Sequence, residues 1–281
     1  MVSLPTGSKP YGLFVDDMNI YWTNFGTGEV MQAKLDGSSQ VTLTTKEKSP
    51  VAVAAQGGLV YWVSYSEFGI LRSAPVGGGA VVDLSLAVAA REMVVGTDYI
   101  WWTGEPDDIM RAPRLGLPDG GVADLLTLNP LSNGLAADAS YLYWTNRFDG
   151  FVKKANYDLT GETPLASGDV PWDVVVDATS IYWTEQGLIK GTGKVMKAKK
   201  TDGSGPTMIA ADGQGPQGIA IDATHVYWAN KDDGTIKRAP LAGGKAVTLA
   251  PGQSGPANVV VDATHVYWTN FTGDAIVKVS K

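Results

Sequence analysis

A short stretch recurs seven times along this chain and limits its fold more than any other feature. It is clearest as Asp222-Ala-Thr-His-Val-Tyr-Trp-Ala-Asn230 and returns almost unchanged as Asp262-Ala-Thr-His-Val-Tyr-Trp-Thr-Asn270. Degenerate copies centre on Tyr21-Trp22, Tyr61-Trp62, Trp101-Trp102, Tyr143-Trp144 and Tyr182-Trp183. The second aromatics of successive copies lie 40, 40, 42, 39, 45 and 40 residues apart. Such a period belongs to architectures in which each unit buries its apolar face against its neighbours.

Each copy reads as four short strands. In the sixth, Pro216 to Asp222 suits a buried innermost strand, and His225 to Ala229 is a second, dense in β-branched and aromatic residues. Thr235 to Pro240 and Lys245 to Ala250 are the third and fourth, with Asn230 to Gly234 and Ala242-Gly243-Gly244 as turns. Four strands in about 40 residues match a propeller blade. The expected fold is all-β: a seven-bladed β-propeller with four-stranded antiparallel blades, residues 1–281 forming one domain. Blades begin near Pro10, Pro50, Ala90, Ser132, Pro171, Pro216 and Pro256. The last copy stops after Ala275 to Ser280 without a fourth strand, whereas Val2-Ser3-Leu4 parallels Val41-Thr42-Leu43 and Val247-Thr248-Leu249. Residues 1–8 therefore complete the last blade, closing the ring three-plus-one and removing an exposed sheet edge.

Composition excludes several functions. A net charge of −7 and a pI near 4.8, without a basic cluster, argue against a nucleic-acid partner. Lys153-Lys154 and Lys199-Lys200 fall at repeat positions and read as solvated strand faces. The absence of cysteine excludes disulfides and thiolate metal sites. No run of 18 apolar residues is available to span a membrane. Residues 1–10 carry no hydrophobic targeting region. The expected location is extracellular or periplasmic in a bacterium, the signal having been shed; a cytoplasmic one fits the lack of cysteine equally well. A monomer is expected.

A residue type present in every copy serves what every copy does, so the Tyr-Trp pairs read as packing between blades. His225 and His265 share one repeat position and read as structural. The column Asp16, Asp138, Asp177, Asp222 and Asp262 reads as turn-capping. No Gly-x-Ser-x-Gly elbow, P-loop or HExxH motif is present.

With Tyr-Trp-Thr-Asn at residues 21–24, 143–146 and 267–270, the repeat resembles the YWTD-type propeller repeat and its bacterial relatives over essentially the whole chain. It departs in carrying Asn or Glu where that motif has Asp, and YWTD domains usually have six blades. The resemblance implies a propeller and a receptor-like binding role. The repeat style is also similar to that of the seven-bladed streptogramin lyases, which rely on histidines at the active face. Because His225 and His265 belong to the repeat consensus, that activity is not carried over.

Function is sought where the copies diverge on the side shared by the lead-in to each first strand and the hairpin between strands two and three. Following each opening residue, the first lead-in column reads Tyr11, Val51, Arg91, Asn133, Trp172, Gln217, Ala257. The second reads Gly12, Ala52, Glu92, Gly134, Asp173, Gly218, Asn258, so three oxygen-bearing side chains are expected to point into the channel mouth with open space between them. Glu92, Asn133, Asp173 and Asn258 would suit Ca²⁺, and resemble the metal-binding quartet of the six-bladed gluconolactonase and phosphotriesterase propellers. The hairpin column is Phe25, Tyr65, Glu105, Arg147, Gln186, Lys231, Phe271, aromatic in three contiguous blades, with Phe68 and Phe148 adding to it. Blade five has a longer, glycine-bearing hairpin, Glu185 to Lys194, expected to overhang Trp172 and Asp173 as a lid or contact loop. The expected function is a non-catalytic binding or scaffold propeller. It would take a protein segment, a glycan or a small molecule through Tyr11, Phe25, Tyr65, Arg91, Glu92, Asn133, Trp172, Asp173, Gln217, Asn258 and Phe271. The alternative is a Ca-dependent hydrolase of lactones or esters using the four oxygen-bearing residues.

Overall fold

The computed structural model describes residues 2–5, 8–66, 69–86, 89–104, 108–117, 124–128, 132–211 and 214–281. These form seven four-stranded antiparallel sheets without a described helix, so the fold is a seven-bladed β-propeller. In the sixth blade Pro216–Ile221, His225–Asn230, Thr235–Pro240 and Val247–Ala250 lie side by side in that order. First strands open at Pro10, Pro50, Ser132, Pro171, Pro216 and Pro256, as the repeat predicts. The third blade differs: its first strand is Met93–Val95, three residues later than Ala90, although Arg91 N–H still donates to the Thr103 carbonyl at 2.8 Å. The seventh sheet runs Val2–Pro5, Ala275–Ser280, His265–Asn270, Pro256–Val261, with Ser3 opposite Val277. The last blade is thus assembled three-plus-one.

The chain divides into two compact units, residues 1–128 with 269–278, and residues 129–268 with 279–281. One packing rule operates in both. Neighbouring residues on a strand face opposite sides of its sheet, so Tyr and Trp of one copy serve different interfaces. In the first unit Tyr21 shares a buried cluster with Trp62, and Tyr61 one with Trp102. In the second, Tyr143 clusters with Trp183 and Tyr182 with Trp228. The tyrosine of one copy meets the tryptophan of the next, and that is why the dipeptide is repeated intact. All seven tryptophans at the second position are fully buried.

The aspartate column does more than cap a turn. Asp222 Oδ1 accepts the Thr224 and His225 N–H groups, both at 2.8 Å, while Oδ2 accepts the Tyr227 hydroxyl at 2.7 Å. Tyr21, Tyr143, Tyr182 and Tyr267 donate to Asp16, Asp138, Asp177 and Asp262 at 2.7–2.8 Å. Each buried hydroxyl is therefore satisfied by a charge-assisted bond from its own blade. His225 and His265 sit in the same turns, Nδ1 against the preceding threonine hydroxyl at 2.7 Å. They stand at the far end of the strand from the lead-in and second hairpin.

The lysine pairs are not simply solvated. Position four of the third strand reaches the turn of the adjacent blade: Lys197 Nζ donates to Leu241 O at 3.2 Å and Lys154 Nζ to Lys200 O at 3.3 Å. Gln32 accepts the Gly77 N–H at 2.8 Å from the same position. Lys153 is held between Asp149 and Glu162, and Lys200 on Asp138 at 2.7 Å. Long aliphatic stems let these ammoniums span a blade interface while the repeat leaves their positions polar.

Candidate functional site

In blades one, four, five and six both lead-in columns fall inside a β-bulge, which re-aims side chains at the edge of a sheet. In blade five Pro171 pairs with Glu185 and Val174 with Trp183, so Trp172 and Asp173 together oppose Thr184. Blades one and four repeat this with Thr23 and Thr145. The bulge leaves backbone groups without ladder partners, and the threonine supplies them. Thr184 Oγ1 accepts the Asp173 N–H at 3.2 Å and donates to Gln217 O of the next blade at 2.7 Å. Thr145 accepts from Gly134 at 2.9 Å and donates to Trp172 O at 2.8 Å. Thr23 accepts the Gly12 N–H at 2.8 Å, and Thr269 donates to Tyr11 O at 3.3 Å. The third letter of Tyr-Trp-Thr is a relay between blades.

The second lead-in column corrects an expectation. Gly12, Gly134 and Gly218 do not open space for polar neighbours. A Cβ on Gly12 would stand 2.3 Å from Val51 O, one on Gly134 2.6 Å from the Asp173 Cα, and one on Gly218 2.3 Å from Ala257 O. Adjacent first strands approach so closely that a residue with a side chain faces a glycine from the preceding blade.

Asp173 is half-buried where two first strands meet. Its Oδ1 accepts the Val174 N–H at 2.8 Å and its Oδ2 the Ile219 N–H at 3.1 Å, so the carboxylate brackets the first strands of blades five and six. Burial pushes its pKa up to about 6, although the Ile219 and Val174 N–H groups pull it down. Beside it Asn133 Nδ2 donates to Trp172 O at 2.8 Å. In the first unit Glu92 accepts the Met93 N–H at 3.0 Å, the same local bond that Asp173 makes to Val174. A calcium ion at Asp173 would share oxygens already carrying one N–H each. Asn258 is half-buried, its Cα next to Gly218.

The first lead-in column and the hairpin column meet across blades. In the first unit Tyr11, Phe25 and Phe271 form a mutual cluster, with ring centroids 6.5, 5.8 and 5.9 Å apart. Lys9 Nζ lies 5.9 Å from the Phe271 centroid. Tyr65 is not a member of that cluster; its ring sits under the Arg91 guanidinium at 5.3 Å. In the second unit the Arg147 guanidinium lies 4.3 Å from the centroid of Trp172. In each case a hairpin residue of one blade contacts the lead-in residue of the next. Arg147, which the sequence placed only among the polar hairpin residues, thereby joins the site. Reading the hairpin column against the lead-in column shifted by one blade would have found it. Gln217 is buried at 7% exposure and contributes its carbonyl to Thr184. Glu105 and Phe68 lie outside the described residues.

The long hairpin of blade five is tied to its own lead-in: Gln186 and Gly187 N–H groups donate to Val170 O and Asp169 O, and Leu188 N–H to Asp169 Oδ2 at 3.0 Å. Its other arm leans towards blade six, where a Cβ on Gly193 would stand 2.4 Å from Pro216 Cδ. Leu188 and Ile189 project at 81% and 70% exposure, as does Phe148 at 73% in the preceding hairpin.

No protein-family model matches the chain. Among solved structures it is similar to a streptogramin B lyase, with a TM-score of 0.79 and 14% identity over 99% of this chain and 94% of that one. It is similar to the computationally designed Ika8 protein, with a TM-score of 0.69 and 12% identity over 99% and 98% of the two chains. A nidogen/laminin complex gives a TM-score of 0.60 and 17% identity over 94% and 89%. The first and last agree with the two resemblances carried by the repeat. At these identities the likeness is one of fold, and it places the chain among propellers whose neighbours include both a lyase and a binding protein.

Proposed function

We propose that this propeller is a non-catalytic binding module that takes a peptide segment on the side carrying the lead-ins and second hairpins. The observation that carries the reading lies in the first unit, where the Arg91 guanidinium is held over the Tyr65 ring; the second unit by itself repeats the arrangement with Arg147 over Trp172. An arginine held over a ring is pre-ordered, and its planar fork of N–H donors matches a carboxylate. A ring covered by a guanidinium is a poor platform for a sugar, which favours a peptide with acidic side chains over a glycan. The half-buried cluster of Tyr11, Phe25 and Phe271 offers an apolar contact in the first unit. The nidogen/laminin likeness supports a protein partner in kind, as a structural neighbour taken from a protein complex.

Selection of a random peptide library on the intact protein tests this. Acidic peptides with an apolar residue are expected, binding Arg91→Ala and Phe25→Ala/Phe271→Ala at least tenfold more weakly. Peptides that bind both variants as well as the parent, or no enrichment at all, would overturn the reading. The alternative, a calcium-dependent hydrolase built on Glu92, Asn133, Asp173 and Asn258, predicts stoichiometric calcium that Asp173→Asn removes. Calcium titration of chelator-treated protein without a heat of binding sinks it.

A further inference from the structure

The first unit contains a polar cleft remote from the aromatic and guanidinium pairs in its chemistry. A cavity of about 460 Å³ is lined by Thr44, Thr45, Lys46, Glu47, Arg72, Val81 and Asp83. A smaller one of about 170 Å³ shares Lys46, Glu47 and Arg72 with it and adds Lys48, Ser64 and Ser66. Both open between the segment leading out of blade one and the third strand of blade two.

The framework of the cleft is fixed from below. The Glu47 side chain is 2% exposed and holds Arg72 Nη1 at 2.7 Å, with the Ser64 hydroxyl donating to the same oxygen at 3.2 Å. Asp83 takes Arg72 Nε at 2.6 Å. Two carboxylates thus engage two of the five N–H donors of the guanidinium and orient the rest. Lys46 and Lys48 are exposed on either side of Glu47, and among the described residues neither ammonium has an ion-pair partner. Three cationic groups and four hydroxyls therefore surround a cleft whose two carboxylates are both spent on Arg72. Equivalent copies lack the set: the residue whose N–H reaches the preceding hairpin is Glu47 here but Gly168 and Gln253 elsewhere.

We propose that this cleft binds a tetrahedral oxyanion, the phosphate or sulfate group of a small ligand, between Lys46, Lys48 and Arg72. The oriented guanidinium supplies directed N–H donors and the two lysines supply charge, the division of labour that arginine and lysine perform at oxyanion sites generally. Thr44, Thr45 and Ser66 hydroxyls line the remaining wall.

The test is calorimetric titration with inorganic phosphate, sulfate and phenyl phosphate, each against sodium chloride at matched ionic strength. Saturable binding is expected, weakened at least tenfold in Lys46→Ala/Lys48→Ala. Those exposed side chains carry no structural bond, so the melting temperature without ligand should be unchanged. Arg72→Ala is avoided because it strands the buried Glu47 carboxylate. Tighter binding of phenyl phosphate than of either inorganic ion would place the oxyanion on a larger molecule; equal binding would make the free ion the ligand. Heats no larger than those of chloride, or a double variant that binds as tightly as the parent, overturn the proposal.

Discussion

Thr184 shows how much a single hydroxyl carries in this protein. It is fully buried and joins the Asp173 N–H of its own blade to the Gln217 carbonyl of the next. Replacement by valine keeps the shape and strands both backbone groups, a cost of about 1–3 kcal/mol. Equilibrium urea denaturation of Thr184→Val should show that loss, and a loss below about 0.5 kcal/mol would remove the relay from the account. Thr145 and Thr269 make the same interblade bond, whereas the corresponding residues Val63 and Ala229 lack the hydroxyl, so the relay is dispensable in those two copies. At the same scale Tyr and Trp divide the two faces of each second strand, a fact legible in their alternation. That Thr184 serves a bulge was not legible, because a bulge two residues long leaves no mark in composition.

Individual strands inherit their register from those contacts. The bulge in the first strands of blades one, four, five and six re-aims Tyr11, Asn133, Trp172 and Gln217, and Gly12, Gly134 and Gly218 in the next column let the neighbouring first strand approach. The N-terminal strand Val2–Pro5 is bound to Ala275–Ser280 by its backbone ladder. Deleting residues 1–8 would expose the Ala275–Ser280 edge, a template for pairing with another chain. Size-exclusion chromatography with light scattering should then find larger species for the truncated protein than for the full chain. A truncated protein as monodisperse as the parent would show that the edge is protected by something else.

For the molecule as a whole, two sets of aspartates set opposing limits on stability. Burial raises the carboxyls of the turn column, but hydrogen bonds outweigh it: Lys200, turn N–H groups and Tyr143 hold Asp138 down at about 2, and Asp177, Asp222 and Asp262 are lowered likewise. Their contribution is present above the ordinary aspartate pKa and is lost as pH falls through the folded value. Asp173 works in the other direction. Its folded pKa of about 6 lies above the unfolded one, so its contribution is complete below about pH 4 and is lost as pH rises through 6. These groups together place maximum stability in a window near pH 4, with the Asp173 contribution declining from there to about pH 6. Denaturation midpoints across pH 2–8 should rise and fall around that window, and a carboxyl carbon titrating near 6 should identify Asp173. A flat profile from pH 4 to 8 would show that Asp173 stays ionised.

The period of the Tyr-Trp stretch by itself determined the strand content, the number of blades and the three-plus-one assembly, because each depends on a pattern that one copy repeats to the next. It also marked the lead-in and hairpin columns as the places to look. Only the tertiary structure decided which members of those columns meet: Phe25 and Phe271 with Tyr11, Tyr65 with Arg91, Arg147 with Trp172. All but Phe25 with Tyr11, which share blade one, join residues from two different blades, and a side chain's partner across that gap is set by how neighbouring blades pack. The cleft around Glu47 and Arg72 lay beyond the sequence for the same reason, since its charges are 25 positions apart and meet only when two blades are packed.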